Sequence, residues 1–325
     1  MDKISKKSLS DLSLVVLNYN SAHDTLYCVE KLLSFGSDFH IIVVDNMSPD
    51  GSFDEIKEKL GGSEQVDVIQ SDRNGGYSYG NNFGMRYAIE HYGSTVLGIL
   101  NPDVIIPRLE VISVMKEQLE SDPTFAVIGG ACITSDGMYN PNYFGWGIPN
   151  SYQLLRDFSV LKGVSSRNTR ARDIKMIGER MAQIDCIAGC YYLMRTSAIQ
   201  EIGFLDDNVF MYSEEFILGI RVKRHGYKEV LALDQFYIHN HKRIRHKKMS
   251  FKKKFYSTKL MYNSRKYLVK TYYSPYLLPL LWCVEMLNRL YLACAWFANL
   301  FVNEQEFKPI IETSKTNKRY ANEYS

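Results

Sequence analysis

VLGILNPDV, residues 96–104, is a short apolar run that stops at Asn101-Pro102-Asp103. A run of this length bounded by a turn signal has the form of a buried parallel strand, and in open α/β sheets a ligand sits beyond the strand's carboxyl end. Asp103 then presents a carboxylate at the mouth of a cleft. The plain alternative is an aspartate that only closes an Asn-Pro turn, so the flanking sequence has to decide.

Upstream, apolar strands alternate with helical stretches. Asp11 to Leu17 reads as a strand ending in Asn18-Tyr19-Asn20-Ser21, with a helix from about Ala22 to Phe35. His40 to Val44 is a second strand, ending in Asp45-Asn46. Ser52-Phe53-Asp54-Glu55 fits a capping box for a helix reaching Leu60. Val66 to Gln70 and Tyr77 to Tyr92 form the next strand and helix. This alternation predicts right-handed βαβ units and a mostly parallel sheet whose ligand edge lies at the strands' C-terminal ends. Gly76, Gly80 and Gly84 fall on one helix face, where they allow close packing on the sheet or close approach to a ligand. Neither a G-x-G-x-x-G after the first strand nor a G-x-x-x-x-G-K-[ST] occurs, so neither a dinucleotide fingerprint nor a Walker loop is signalled.

Downstream, Pro107 to Ser121 reads as a helix and Phe125 to Ile133 as a strand, followed by an irregular insertion over about 134–182. Gln183 to Arg195 is read as one strand-like stretch and Thr196 to Ile202 as a helix. Ser213 is placed as the N-cap of a helix that carries Glu214 and Glu215 in its first turn and reaches His225. Tyr227 to Leu233 and Phe236 to His239 are read as strands, ending in His239-Asn240-His241.

The 325 residues are 46% hydrophobic and 23% charged, the balance of a globular chain. Six scattered cysteines without a C-x-x-C pair and an N-terminus without an apolar stretch imply a reducing, cytoplasmic setting, with Cys186 and Cys190 as buried thiols. The net charge of +3 is uneven: between Gln235 and Val284 stand 12 Lys or Arg and no Asp or Glu. That split predicts a basic, partner-facing appendage on an acidic body.

Six ordered motifs give the chain a family likeness: Asn18-Tyr19-Asn20; Val44-Asp45-Asn46 with Ser48, Asp50, Gly51 and Ser52; Asn74 to Gly84; Asn101-Pro102-Asp103; Ala188-Gly189-Cys190; and Phe210 to Glu215. Over about Asp11 to His241 it resembles the family 2, GT-A-fold, inverting glycosyltransferases of the rhamnosyltransferase-like kind, which act in bacterial capsule and O-antigen assembly. The likeness implies an α/β fold with a GT-A catalytic domain over 1–241 and a helical C-terminal region over 242–325. It implies a nucleotide-diphosphate sugar donor, such as a UDP- or dTDP-sugar, held by Asn18, Tyr19, Asn20, Asp45, Asn46, Asn74, Gly76, Asn82 and Asn101. Asp103 with His239, or His241 in its place, would hold Mg²⁺ or Mn²⁺, while Gly189, Cys190, Met211 and Tyr212 would face the acceptor. Glu215 stands where the family keeps an aspartate base, with Glu214 as its competitor. Glutamate for aspartate and the apolar Ile217 depart from the pattern and leave a catalytically inactive nucleotide-sugar-binding scaffold as the alternative.

In the tail, neither Thr271 to Val284 nor Leu290 to Asn303 reaches the roughly 18 to 20 apolar residues of a spanning helix. Amphipathic helices on an anionic membrane are expected instead, peripheral on the inner face, beside a saccharide or lipid-linked saccharide acceptor. Packing on the catalytic domain or a homodimer contact is the other expectation for the tail, and no nucleic-acid partner is expected, since that role would leave the first 241 residues unexplained.

Overall fold

The computed structural model describes residues 8–134, 145–160, 174–240 and 251–301. The first half alternates as the sequence implies: β1 (Leu12–Asn18), α1 (Ala22–Leu33), β2 (His40–Asp45), α2 (Ser52–Leu60), β3 (Val66–Gln70), α3 (Tyr77–Tyr92) and β4 (Val96–Leu100). There follow β5 (Val104–Ile105), α4 (Leu109–Glu120), β6 (Phe125–Thr134), β7 (Gly145–Trp146), α5 (Ser151–Phe158), β8 (Lys175–Met176), β9 (Met181–Ile184), β10 (Cys186–Ile187) and β11 (Tyr191–Arg195). The chain continues through α6 (Thr196–Ile202), α7 (Glu214–Arg224), β12 (Lys228–His239), α8 (Phe251–Tyr272) and α9 (Leu278–Phe301).

The main sheet runs β3-β2-β1-β4-β11-β6-β12-β9-β8, with β5 paired to β12. Strands β3, β2, β1 and β4 are parallel, β12 is parallel to β6, and β11 runs antiparallel between β4 and β6. The first three strands step outward from β1, whereas β4 returns to its other side. That reversal is a switch point, and it opens a crevice beyond the C-terminal ends of β1 and β4, where Asn18 and Asn101 lie. Residues of β1, β2 and β4 are buried almost throughout, because helices cover both faces of a parallel sheet.

The glycine face of α3 is a packing device. A Cβ at Gly84 would come within 2.6 Å of Val15 and 2.7 Å of Val44, and one at Gly80 within 2.4 Å of Leu17. Helix α3 therefore rests on β1 and β2 at a distance that no side chain fits.

Several local expectations are corrected. Helix α2 is entered through Gly51 in the left-handed region (φ 83°), and Ser52 bonds back to Asp50, so no capping box forms there. A capping box does form at Asn150 and Gln153, which start α5 inside the stretch read as irregular. Gln183 to Arg195 is broken into β9, β10 and β11, whereas the two late strands are one strand, β12, with a register break between Ala232 and Phe236. Residues 135–144 and 161–173 of the insertion, His241 and the basic run at 242–248 lie outside the described residues.

The tail departs most from expectation. Pro279 falls in the first turn of α9, where its missing N–H has no helical partner to lose, so the helix runs unbroken for 24 residues. Pro275–Phe297 is long and apolar enough to cross a membrane by length and composition, with a mean hydropathy of 1.3. A second apolar cluster, including Leu154, Ile217, Leu268 and Leu281, joins α5, α7, α8 and α9.

Gly84→Ala is expected to destabilise the chain by about 1–3 kcal/mol in urea unfolding, the scale of core overpacking, although alanine intrinsically favours helix by about 1 kcal/mol. A stabilised variant would show that α3 does not depend on this close approach.

Candidate active site

The site is assembled from the ends of β1, β2 and β4, the start of α3, the segment before β11, the loop into α7 and the end of β12. At the first two strand ends, the buried Asp45 carboxylate accepts from the Asn18 amide (2.7 Å), the Ser48 N–H (3.0 Å) and the Gln70 amide (3.0 Å). Thr25 in α1 donates to the Asn18 carbonyl oxygen (2.9 Å), so each loop is fixed by a neighbour on another element. Asn46 donates to Asn74 and to the Gly76 carbonyl, both at 3.1 Å, and accepts from Ser71 (3.0 Å). Asn18, Asn46 and Asn74 thus use their amides to hold the loops together. Tyr19, beside them, keeps its ring about half exposed at 47%, and Asn20 adopts a left-handed φ of 53°.

Asn82 is placed differently from the role the family likeness implies. Its amide donates to the Leu205 carbonyl (2.8 Å) and accepts the Leu205 N–H (3.1 Å), which clamps α3 to the turn after α6.

Asp103 sits in a tight turn closed by Val104 N–H to Asn101 C=O (3.0 Å). Both readings of the NPD stretch therefore hold, because the turn also carries a half-buried carboxylate with its oxygen 3.1 Å from His239 Nε2. Register explains the meeting: β12 lies antiparallel on β5 with His239 opposite Val104, one residue from Asp103. Burial works against the imidazolium, but its hydrogen bonds to Asp103 and Cys132 outweigh it and push His239 up to about 9, so a bound ion would have to displace that proton.

Ligands on an octahedral ion at right angles, each bound at about 2.1 Å, sit about 3 Å apart. The Asp103–His239 spacing therefore fits a shared divalent ion, and the imidazole favours Mn²⁺ over Mg²⁺. Among the described residues no group of three or more His, Cys, Asp or Glu is close enough to hold a metal unaided. Asp103 and His239 would therefore share the ion with further ligands.

On the opposite side, Glu214 and Glu215 open α7 directly after Tyr212 and Ser213, which both adopt left-handed φ (72° and 70°). Two consecutive non-glycine residues in this region cost on the order of 1 kcal/mol each and persist only where the surroundings hold them. Here α8 holds them: Ser264 donates to the Met211 carbonyl (2.6 Å), and the Tyr212 hydroxyl meets Ser257 Oγ at 2.9 Å. Ser213 occupies the N-cap position but makes no side-chain cap. From the other flank, Tyr77 N–H donates to the Phe210 carbonyl (2.9 Å), with Gly76 at φ 90° packed so closely on Phe210 that a Cβ would overlap it.

Burial raises the Glu215 carboxyl, tempered by backbone hydrogen bonds from its own helix start and from Gly189. Burial also raises Glu214, with the charge of Glu215 added, to about 8, and its enclosed Oε2 has no hydrogen-bond partner. Both carboxyls are thus raised by burial, and at neutral pH Glu214 keeps its proton. A Cβ at Gly189 would lie 3.1 Å from Glu215 Oε1, so glycine is what lets this backbone meet the carboxylate. Cys190 contributes its carbonyl, which accepts the Asn101 N–H (2.9 Å), while its thiol turns into the core against the Tyr237 hydroxyl (3.1 Å). The thiol is thus not on the acceptor side.

Three participants had no clear signal in the sequence. Gln70 fixes Asp45, the Tyr77 hydroxyl donates to the Gly189 carbonyl, and buried Glu229 accepts the Ile187 N–H (2.8 Å) beneath the glutamate pair. A polar residue ending β3 was the only hint of the first. Ile217 is fully buried in the cluster beneath α8 and α9, so its apolar character follows from packing and carries no sign of an inactive site.

The Glu214 proton should be visible in stability. Its folded-state pKa of about 8 lies above the ordinary carboxyl value, so folding favours the protonated form and stability is lost as pH rises from about 4.5 through 8. Glu214→Gln, a neutral isostere, is expected to leave the urea midpoint unchanged near pH 5 and raise it at pH 8. An equal effect at both pH values would contradict the assignment.

Comparison with known proteins gives this geometry its family. A curated relative, the low-salt glycan biosynthesis hexosyltransferase Agl10 of Haloferax volcanii, is 23% identical over 225 residues, spanning 68% of this chain and 64% of the relative. The mannosyltransferase PcManGT of Pyrobaculum calidifontis, solved with GDP-Man and Mn²⁺, superposes with a TM-score of 0.54 at 13% identity, covering 91% of this chain and 76% of that one. GalNAc-T7, solved with UDP, GalNAc and Mn²⁺, gives 0.52 at 15% identity over 71% of this chain and 44% of that one. At such identities the structures show a shared GT-A-like α/β fold. The family model for Glycosyl transferase family 2 matches residues 13–203, more than half of the chain, which therefore belongs to that glycosyltransferase family.

Proposed function

We propose that this chain transfers a sugar from a nucleotide-diphosphate sugar to a hydroxyl of a saccharide acceptor, inverting the anomeric centre, in the assembly of a cell-surface glycan. The observation that carries the reading is the Gly189-Cys190 segment, which bonds the NPD turn on one side and meets the Glu215 carboxylate on the other. A donor diphosphate at Asp103 and a proton acceptor at Glu215 are thereby held by one piece of backbone. The glycan relative and the sugar-nucleotide complexes of the similar folds support the same assignment.

In this reading, the first two strand-end loops and Tyr19 hold the nucleotide, and Asp103 with His239 would hold a divalent ion beside the donor diphosphate. When bound, such an ion neutralises the charge that grows on the departing diphosphate. Glu215 accepts the proton of the acceptor hydroxyl as that oxygen bonds to the anomeric carbon and the bond to the diphosphate oxygen breaks on the opposite face. Glu214, neutral beside it, adds no negative charge to oppose ionisation of Glu215. The extra methylene of glutamate over aspartate is accommodated at Gly189, where no side chain stands in the way.

A panel of UDP-, GDP- and dTDP-sugars with Mn²⁺ or Mg²⁺ tests the proposal by donor turnover. With the active donor, Glu215→Gln is expected to lower kcat by about 10²–10⁴-fold, whereas Glu214→Gln keeps most of it at pH 7. Because burial raises Glu215, kcat should rise with pH above the usual carboxylate range. Asp103→Ala should weaken Mn²⁺ binding in calorimetry by at least about tenfold with an unchanged circular dichroism spectrum. Binding of a donor without turnover of any would support the scaffold instead.

A further inference from the structure

Helix α9 carries apolar side chains outward as well as inward, whereas a surface helix of a soluble protein turns its apolar side inward. Its inner face carries Leu281, Glu285 and Asn288, exposed by only 1%, 2% and 7%. The polar groups there are matched. Asn288 donates to the Phe158 carbonyl and accepts the Val160 N–H, both at 2.8 Å. Glu285 receives Arg289 at 3.0 Å, and that guanidinium lies over the Phe255 and Tyr262 rings of α8. Meanwhile Leu280, Trp282, Leu287, Leu290 and Tyr291 are each about half exposed or more, forming a continuous apolar outer face. A patch of this kind marks a docking surface.

We infer that the outer face of α9 is seated in the surface layer of an anionic lipid bilayer, with the helix lying in the membrane plane and its inner face remaining docked on the catalytic body. Three observations select this occupant. The window Pro275–Phe297 has the hydropathy of a membrane segment, yet only 17% of it is buried in the protein. Tyr276, Trp282 and Tyr291 are exposed along it, the side chains that suit the boundary between headgroups and acyl chains. The adjoining α8 exposes Lys254, Lys259, Lys266 and Lys270, within a stretch that has no acidic residue between Gln235 and Val284. Such a cationic helix is attracted to anionic headgroups, whereas pairing two copies of the face would bring like charges together.

The same contacts exclude a spanning orientation. To cross the bilayer, α9 would have to withdraw Asn288 from α5 and Arg289 from the rings of α8 and carry the Glu285–Arg289 pair into hydrocarbon. Because α8 also holds Met211 and Tyr212 beside the glutamate pair, a seated α9 brings the acceptor side of the cleft to the lipid surface. A lipid-linked saccharide acceptor follows, and this last step alone rests on the function proposed above.

The native chain supplies its own reporter. Of the six cysteines only Cys283 and Cys294, both on α9, are exposed. The full chain, labelled there with a polarity-sensitive fluorophore, is mixed with vesicles of phosphatidylcholine with or without phosphatidylglycerol. Co-sedimentation and a blue shift are expected with phosphatidylglycerol at low salt, weakening at least about tenfold at high salt as charge attraction is screened. Alkaline carbonate should release the bound protein. The paired substitution Leu287→Glu and Leu290→Glu should abolish sedimentation while leaving the melting temperature and donor turnover intact. No binding to any vesicle at low salt would overturn the inference, as would resistance to carbonate, which marks a spanning helix. A wild-type dimer made monomeric by the paired substitution, without lipid binding, would make the face a self-interface. Vesicle binding without turnover of any donor would overturn only the enzymatic reading.

Discussion

The hydrogen bond from Asn101 N–H to Cys190 C=O is the constraint on which the site depends. It locks the end of β4 to the segment entering β11, and one residue earlier the same segment meets the Glu215 carboxylate and receives the Tyr77 hydroxyl. Because β11 runs antiparallel between β4 and β6, its entrance lies at the edge where the parallel strands end. A shift of this dipeptide would alter the NPD turn and the surroundings of the Glu215 carboxylate together.

That arrangement is energetically demanding. Buried Asp45 and Glu229 and half-buried Glu214 and Glu215 are brought near one edge, and carboxylates resist burial unless hydrogen-bonded or protonated. Asp45 is stabilised by three donors, Glu214 by retaining its proton, and Glu229 in part by the Ile187 N–H. The strained Tyr212-Ser213 pair adds a further cost, offset by contacts from α8. The C-terminal helices are thus part of the catalytic architecture, and their apolar cluster also accounts for Ile217.

Much of this was legible in the sequence wherever local pattern and tertiary outcome agree. Helix α3 begins at Tyr77 and ends at Tyr92 as the glycine spacing and apolar periodicity predict, and β4 stops at the NPD turn. What escaped depends on partners distant in the chain. The meeting of Asp103 with His239 follows from a β5–β12 register that spans more than a hundred residues, and Asn82 is claimed by Leu205. Proton retention by Glu214 reflects enclosure, which no residue type encodes. The continuity of α9 was hidden by Pro279, whose effect depends on whether it falls in the first turn or the interior.

In the proposed reaction a single carboxylate, Glu215, deprotonates the acceptor while the diphosphate leaves from the opposite face. Proton NMR of the first-formed glycoside, recorded on a reaction with an anomerically pure donor, reads this directly. Inverted configuration at the anomeric carbon is the predicted result. A product that retains the donor's configuration would contradict the account, because one base on one face cannot produce it.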